Sequence, residues 1–438
     1  AIALAGQDPA RLAQLIEQAA ALPNNAIQSL VDRLHEMADK QLSDPDRHVL
    51  WGSLTRHRQA FAVTLARAHA QAAVPERDVT ALIERLRPLD LVLRYQPLFG
   101  RDAVWRMDHS LDIQSRGRAL LEQRLAAVQE LVEAGGVSEV LRLAEIAEAQ
   151  ADVGRALAAV GTGPIDREVL ARTLRSQDRW AAALLWGYLR GRVDRAGWTW
   201  IDQLYAEHQI EPGSLMLFLT SLPFSEETWT RAERWLVDRA ADYWREVAAD
   251  PYGAEGDVTV AIDRLIEVGR LEAAVDVLHA RFERDGILER NRALFALSQR
   301  ELVERASAQF DSYEARALID ALRQDPSVSQ DTLAQIEWLQ LPMLIRQHDY
   351  VPKALENQLA SGPGYFHKVI MWAYRSRDAD KRDASPSDAH TAQRAIHLLT
   401  EWRTPPGTTP DGGIDGTRFK AWLEQARTLC ADTGHLQV

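Results

Sequence analysis

Two acidic clusters and one aromatic hairpin hold the residues best suited to chemistry in this 438-residue chain. In Met107-Asp108-His109-Ser110-Leu111-Asp112 a histidine lies between two carboxylates. On a helix, Asp108 and Asp112 would share a face, and such a pair can hold a divalent ion or serve as acid and base. No H-E-x-x-H accompanies it, so helix-start acids beside a surface histidine are the expectation. Asp411 and Asp415 have the look of a calcium loop. The closing carboxylate of such a loop would fall eleven residues after Asp411, where Trp422 stands. A turn followed by a helix cap is expected there instead.

The aromatic hairpin is the richer feature. The chain has 13 Trp against 9 Tyr and 9 Phe, and Trp180, Trp186, Tyr188, Trp198 and Trp200 crowd one predicted helix pair. Trp229, Trp235 and Trp244 follow. Trp and Arg dominate interface hot spots, and aromatic rings also stack on nucleic-acid bases. Arg190, Arg192, Arg195, Trp198 and Trp200 therefore form the candidate binding surface. Trp198 and Trp200 cannot face the same way on a helix, which predicts that one is exposed. The competing account is that large aromatics fill gaps between imperfect repeats.

The sequence carries none of the common nucleotide-binding or nucleophile motifs. No G-x-x-x-x-G-K-[ST] phosphate cradle occurs. Gly161-Thr162-Gly163 and Gly362-Pro363-Gly364 are isolated turns, and Pro164 and Pro363 each remove a backbone N–H that could meet phosphate. No G-x-S-x-G elbow is present, and Cys430 is the sole cysteine. His348 and His367 have no catalytic partner in sequence. No cofactor and no metal are expected, and interaction outweighs catalysis.

Composition narrows the classes further. A formal charge of −12 disfavours nonspecific attraction to nucleic acid. The lysines are Lys40, Lys353, Lys368, Lys381 and Lys420, and arginine supplies the remaining cations. No apolar run nears the ~20 residues that cross a bilayer, and the first segment lacks the basic and apolar regions of a signal peptide. No membrane association is expected. A single cysteine fits a reducing cytoplasm. The absence of an initiating Met reads as a fragment or a processed form.

The elements that must position these residues are helices. Leu30, Leu34 and Met37 form one stripe, and Leu121, Leu125, Val128 and Leu131 another. Val92 to Tyr95 is flanked by prolines and reads as a turn or helix end rather than a strand. In DVTVAIDRLIEVGRLEAAVDVLHARF, Asp257 to Phe282, apolar residues three and four apart break at Val268-Gly269-Arg270 and resume: two antiparallel helices around a tight turn. Val137 to Val160 repeats the design. So does Asp178 to Leu204, with its break expected at Gly191 to Asp194. Ser225 before Glu226 and Glu227 reads as a helix cap. Spacing is irregular, so the expected fold class is all-α, with irregular helical-hairpin repeats forming a TPR-like α-solenoid. Four regions are expected: N-terminal helices at 1–134, Trp-rich hairpins at 135–250, a repeat region at 251–374, and at 375–438 a mobile insertion with C-terminal helices.

The stretches DVTVAIDRLIEVGRLEAAVDVL, TLAQIEWLQLPML and LLTEWRTPPGTTPDGGIDGTRFKAWLEQARTLC carry the series Trp402, Pro406-Gly407, Asp411-Gly412, Ile414-Asp415 and Trp422. In these the chain resembles the helical region of large bacterial antiviral-defence proteins. There a helical array follows an N-terminal module of the STAND NTPase or sirtuin-linked type. The resemblance implies a sensor or scaffold that engages a partner and relays the event. No NTPase or NAD-hydrolase motif is present, so no catalytic residue carries over. The expected function is a non-catalytic scaffold or sensor for a protein partner, a phage product among the candidates. The alternatives are an enzyme built around Asp108, His109 and Asp112, or a single-stranded nucleic-acid binder using the Trp/Arg hairpin.

Overall fold

The computed structural model describes residues 8–40, 42–68, 75–107, 110–207, 210–299, 302, 312–345, 350–373, 388–409 and 413–432. Asp108, His109, His348, Asp411 and most of the expected insertion after 374 lie outside them. Among the described residues there are 23 α-helices and no strand, so the protein is all-α. None of these helices is long and apolar enough to cross a membrane. The chain divides into two compact units, Ala1–Pro223 and Phe224–Val438.

In the first unit, α1 (Pro9–Glu17), α2 (Asn24–Ala38) and α4 (Pro75–Leu86) pack on the long α3 (Asp44–Ala68). The predicted stripe of Leu30, Leu34 and Met37 is buried there against Leu12, Leu50 and Leu54. Each such leucine contributes roughly 2 kcal/mol by leaving water. Asp44, at the start of α3, accepts the amides of Leu89 (3.1 Å) and Asp90 (2.7 Å). That tie fixes the chain as it enters α5 (Leu91–Tyr95), so Val92 to Tyr95 is a single helical turn. Two 3₁₀ turns follow, Gln96–Phe99 and Ala103–Arg106.

A second core is built by α6 (Ile113–Gly135), α7 (Val137–Ile146), α8 (Gln150–Val160), α9 (Gly163–Thr173) and α10 (Arg179–Ala196). Asp112 caps α6 by accepting the amides of Gln114 and Ser115, both at 2.9 Å. The predicted stripe of α6 needs correction. Leu120, Ala127, Val128 and Leu131 are its buried residues, while Leu121 is exposed.

Helices α8 and α10 make the closest approach in the unit, and glycine is the cause. A Cβ on Gly187 would fall onto the backbone of Ala151, one on Gly154 onto the backbone of Leu184 and Tyr188, and one on Gly191 2.7 Å from the Ala158 methyl. Ala151 thus meets Gly187 and Ala158 meets Gly191, so the two helices run in the same direction, with α9 connecting them along the chain. Gly191 is consequently interior to α10 and not a break. The chain turns at Gly197 (φ +73°), before α11 (Trp198–Ala206), because a left-handed residue favours glycine. A short helix, α12 (Leu215–Thr220), closes the unit.

The second unit opens on an aromatic core. Phe224 meets Trp229 edge-on at 5.0 Å, and Trp229 and Tyr243 contact Trp244 at 5.9 and 5.2 Å. These join α13 (Glu226–Leu236) to α14 (Ala240–Glu246). Ser225 stands at the cap position of α13, yet its hydroxyl makes no cap bond and is buried without a partner. The hairpin expected from Asp257 onward is present as α15 (Val258–Glu267) and α16 (Leu271–Asp285). Gly269 takes φ +77°, and the Arg270 amide donates back to the Leu265 carbonyl at 2.8 Å, a helix-ending turn that needs glycine. The Arg270 guanidinium binds the carbonyls of Trp244 and Val247 at the end of α14.

The remaining helices are α17 (Arg290–Leu297), α18 (Ser312–Gln324), α19 (Gln330–Leu344), α20 (Lys353–Ser361), α21 (Pro363–Ala373), α22 (Asp388–Thr400) and α23 (Gly416–Asp432). Buried Glu337 on α19 accepts from Arg323 and the Leu355 amide, and buried Glu356 accepts from the Arg403 amide and the Thr404 hydroxyl. The last segments are sealed by Phe366, Trp402 and Trp422.

Candidate functional site: an arginine and aromatic cleft

The sequence-predicted site residues are placed as follows. Arg192 and Trp200 turn inward onto Asp166 on α9. Arg192 donates Nε and Nη2 to the two carboxylate oxygens, both at 2.9 Å, and the Trp200 indole donates to Oδ2 at 3.2 Å. The Tyr188 hydroxyl donates to Oδ1, and burial pushes that phenol far above its ordinary range. The Arg192 guanidinium also lies 4.9 Å from the Trp200 ring centre. Asp166 is 3% exposed, so the network ties α9, α10 and α11 together from inside. Arg190 stacks over Trp186 at 4.7 Å, and Arg195 is exposed. Trp198 and Trp200 are both half-buried, so neither is the exposed indole that their spacing predicts. The structure gathers Arg192 and Trp200, but around a carboxylate of the protein itself.

Of the two acidic clusters, Asp112 and Asp415 are described, and each caps a helix. Asp112 caps α6, and its pKa is lowered chiefly by the hydrogen bonds from Ser115. Asp415 caps α23 through the amides of Thr417 (2.9 Å) and Arg418 (3.1 Å). Gly407 (φ +79°) lets the preceding loop close on Asp415. Among the described residues, no group of three or more His, Cys, Asp or Glu side chains is placed to share a metal ion.

A different site emerges in the first unit, where α3, α5, the two 3₁₀ turns and α6 meet. Two adjoining chambers, of about 440 and 620 Å3, share a wall of Gly52, Arg56, Pro97 and Arg106. The smaller is lined by Trp51, Tyr95, Leu98, Met107, Ala126 and Ala127 together with Arg87 and Arg94, and it holds no carboxylate. The larger is polar and holds His48, Arg101, Glu17, Asp102 and Glu148.

Local structure fixes these side chains. Arg94 donates Nε (3.2 Å) and Nη2 (3.0 Å) to the Pro88 carbonyl, and the Tyr95 hydroxyl donates to Glu130 on α6. Burial, followed by Glu130, raises the Tyr95 pKa. Arg124 donates to the Leu98 carbonyl at 2.8 Å and pairs with Asp152 at 2.8 Å, anchoring the first 3₁₀ turn. Arg56 meets Glu17 at 3.4 Å and Arg106 meets Asp102 at 2.6 Å. Arg106 folds back over Gly100, where any Cβ would collide with the guanidinium. Burial lowers the His48 pKa, and its Nδ1 is buried without a partner beside the larger chamber.

Sequence reasoning missed this cleft because its residues come from α1, α3, α5, two 3₁₀ turns and α6, scattered between Ala13 and Glu148. The available signal was the density of arginine beside aromatics between Arg87 and Arg106. Compared with known proteins, the chain matches no family model, no curated protein and no solved structure.

Proposed function

We propose that the chain is a non-catalytic helical scaffold, an irregular TPR-like stack of helix pairs that binds a protein partner through the first unit. The observation that carries this is a pair of exposed apolar side chains close in sequence to residues of the cleft. Trp105, next to Arg106, is 60% exposed, and Leu89, two residues from Arg87, is 72% exposed. Exposed Trp and Leu beside arginine and tyrosine are the composition of a protein-binding hot spot. The carboxylates Asp112, Asp166, Glu337, Glu356 and Asp415 serve as caps and ties, which favours a structural over a catalytic use of the acidic residues. Bacterial antiviral defence, the setting implied by the resemblance, belongs to the same proposal.

The test is a photo-crosslinking residue at position 105 in the full chain, in bacteria with and without phage. The expected result is one discrete protein adduct from position 105, absent when the crosslinker replaces exposed Asp194 on α10. Equal labelling from both positions overturns the reading.

A further inference from the structure

The paired chambers have a polarity that protein docking alone does not explain. One is a mainly apolar space with Trp51, Tyr95 and Leu98 beside Arg87 and Arg94. The other is polar, and Arg56 and Arg106 stand on the boundary between them. At about 440 Å3 the apolar chamber falls within the size range of small-molecule sites. We infer that this cleft binds a small organic anion, with its flat ring system in the apolar chamber and one phosphate or carboxylate at Arg56 and Arg106.

Charge sets the class of anion. Guanidinium groups suit planar or tetrahedral oxyanions through paired N–H donors. Arg56 now contacts Glu17, and Arg106 contacts Asp102; both carboxylates are well exposed, so a ligand oxyanion exchanges with them at little cost. Glu17, Asp102 and Glu148 remain in the polar chamber and repel a heavily charged ligand. A mononucleotide-like monophosphate or an aromatic carboxylate fits this balance, and a polyphosphate does not. Arg94, already held by the Pro88 carbonyl, adds a fixed positive charge to the apolar side.

The experiment is calorimetric titration of the full chain with adenosine monophosphate, adenosine, inorganic phosphate, adenosine triphosphate, indole-3-acetate and a short single-stranded oligonucleotide. The monophosphate or the aromatic carboxylate should bind about tenfold or more tightly than adenosine or phosphate alone; which of the two binds identifies the anionic group. Arg56→Gln and Arg106→Gln should each weaken that binding about tenfold. Gly52→Leu is the folding control. A Cβ at Gly52 meets nothing within 4 Å, so the added side chain enters the junction without disturbing α3, and helical content should hold while binding disappears. The inference is overturned if no small probe binds below roughly 1 mM, if Gly52→Leu binds as the parent does, if the triphosphate binds more tightly than the monophosphate, or if only the oligonucleotide binds. Labelling at position 105 is read separately, so this site and the protein-binding reading can fail independently.

Discussion

At the scale of single residues, Asp166 is the most consequential side chain. Its carboxylate takes four donors while 3% exposed. Removing its charge leaves Arg192, itself largely buried, without a counter-ion. Asp166→Asn should therefore cost about 3–5 kcal/mol in urea unfolding, whereas Trp200→Phe, which deletes one indole donor, should cost about 1 kcal/mol. Equal small losses would show that the network is not held dry. Asp276 on α16 works in the opposite sense. Burial, with help from Glu314 and Glu272, raises its carboxyl pKa to about 6. Below the unfolded value, near pH 4, both states are protonated and the residue is neutral to stability. As pH rises to 6 the unfolded chain ionises first, so stability falls, and above 6 the deficit is constant. Allowing for its partial solvent access, the deficit is about 1–2 kcal/mol. Asp276→Asn should restore that amount at pH 8 and change nothing at pH 3.5; a variant equally stable to the parent at both would refute the assignment.

At the scale of elements, the glycines of α8 and α10 invert the usual propensity rule. Alanine exceeds glycine by about 1 kcal/mol in an exposed helix interior, so Gly117→Ala on α6, where a Cβ meets nothing within 4 Å, should stabilise by about 0.5–1 kcal/mol. Gly154→Ala or Gly187→Ala would drive a methyl into the backbone of the facing helix and should destabilise by about 1–3 kcal/mol or more. Thermal unfolding of the three variants reads the contrast, and a gain at Gly187 would mean that the helices lie further apart. The helices on either side of this contact were legible from apolar spacing, and the pairing of α15 with α16 was legible down to its Gly269 turn. The break near Gly191 was misplaced for a physical reason: glycine serves both left-handed turns and close packing, and only the facing helix distinguishes them.

At the scale of the whole molecule, division at Pro223 places Phe224 with its aromatic partners Trp229 and Trp244 in the second unit. A chain of residues 224–438 should fold with a cooperative, near-ultraviolet-visible core, and so should 1–223. A chain starting at 230 loses Phe224 and Trp229 and should melt about 10 °C or more lower than 224–438. Identical melting would remove the aromatic cluster from the folding core. By itself, the sequence determined that this is an all-α protein with many short amphipathic helices, because helical period and turn chemistry are local properties. It also determined that Asp415 follows a turn and heads a helix. Only the tertiary structure decided the fate of the charged and aromatic side chains. Arg192 and Trp200 are drawn inside by Asp166, which lies 26 and 34 residues earlier, while Arg56 on α3 and Arg106 in the second 3₁₀ turn line one cleft. Whether a guanidinium faces a buried carboxylate or an open chamber depends on which helices pack together, and that is set by long-range steric fit, such as glycine against backbone, that no local pattern records.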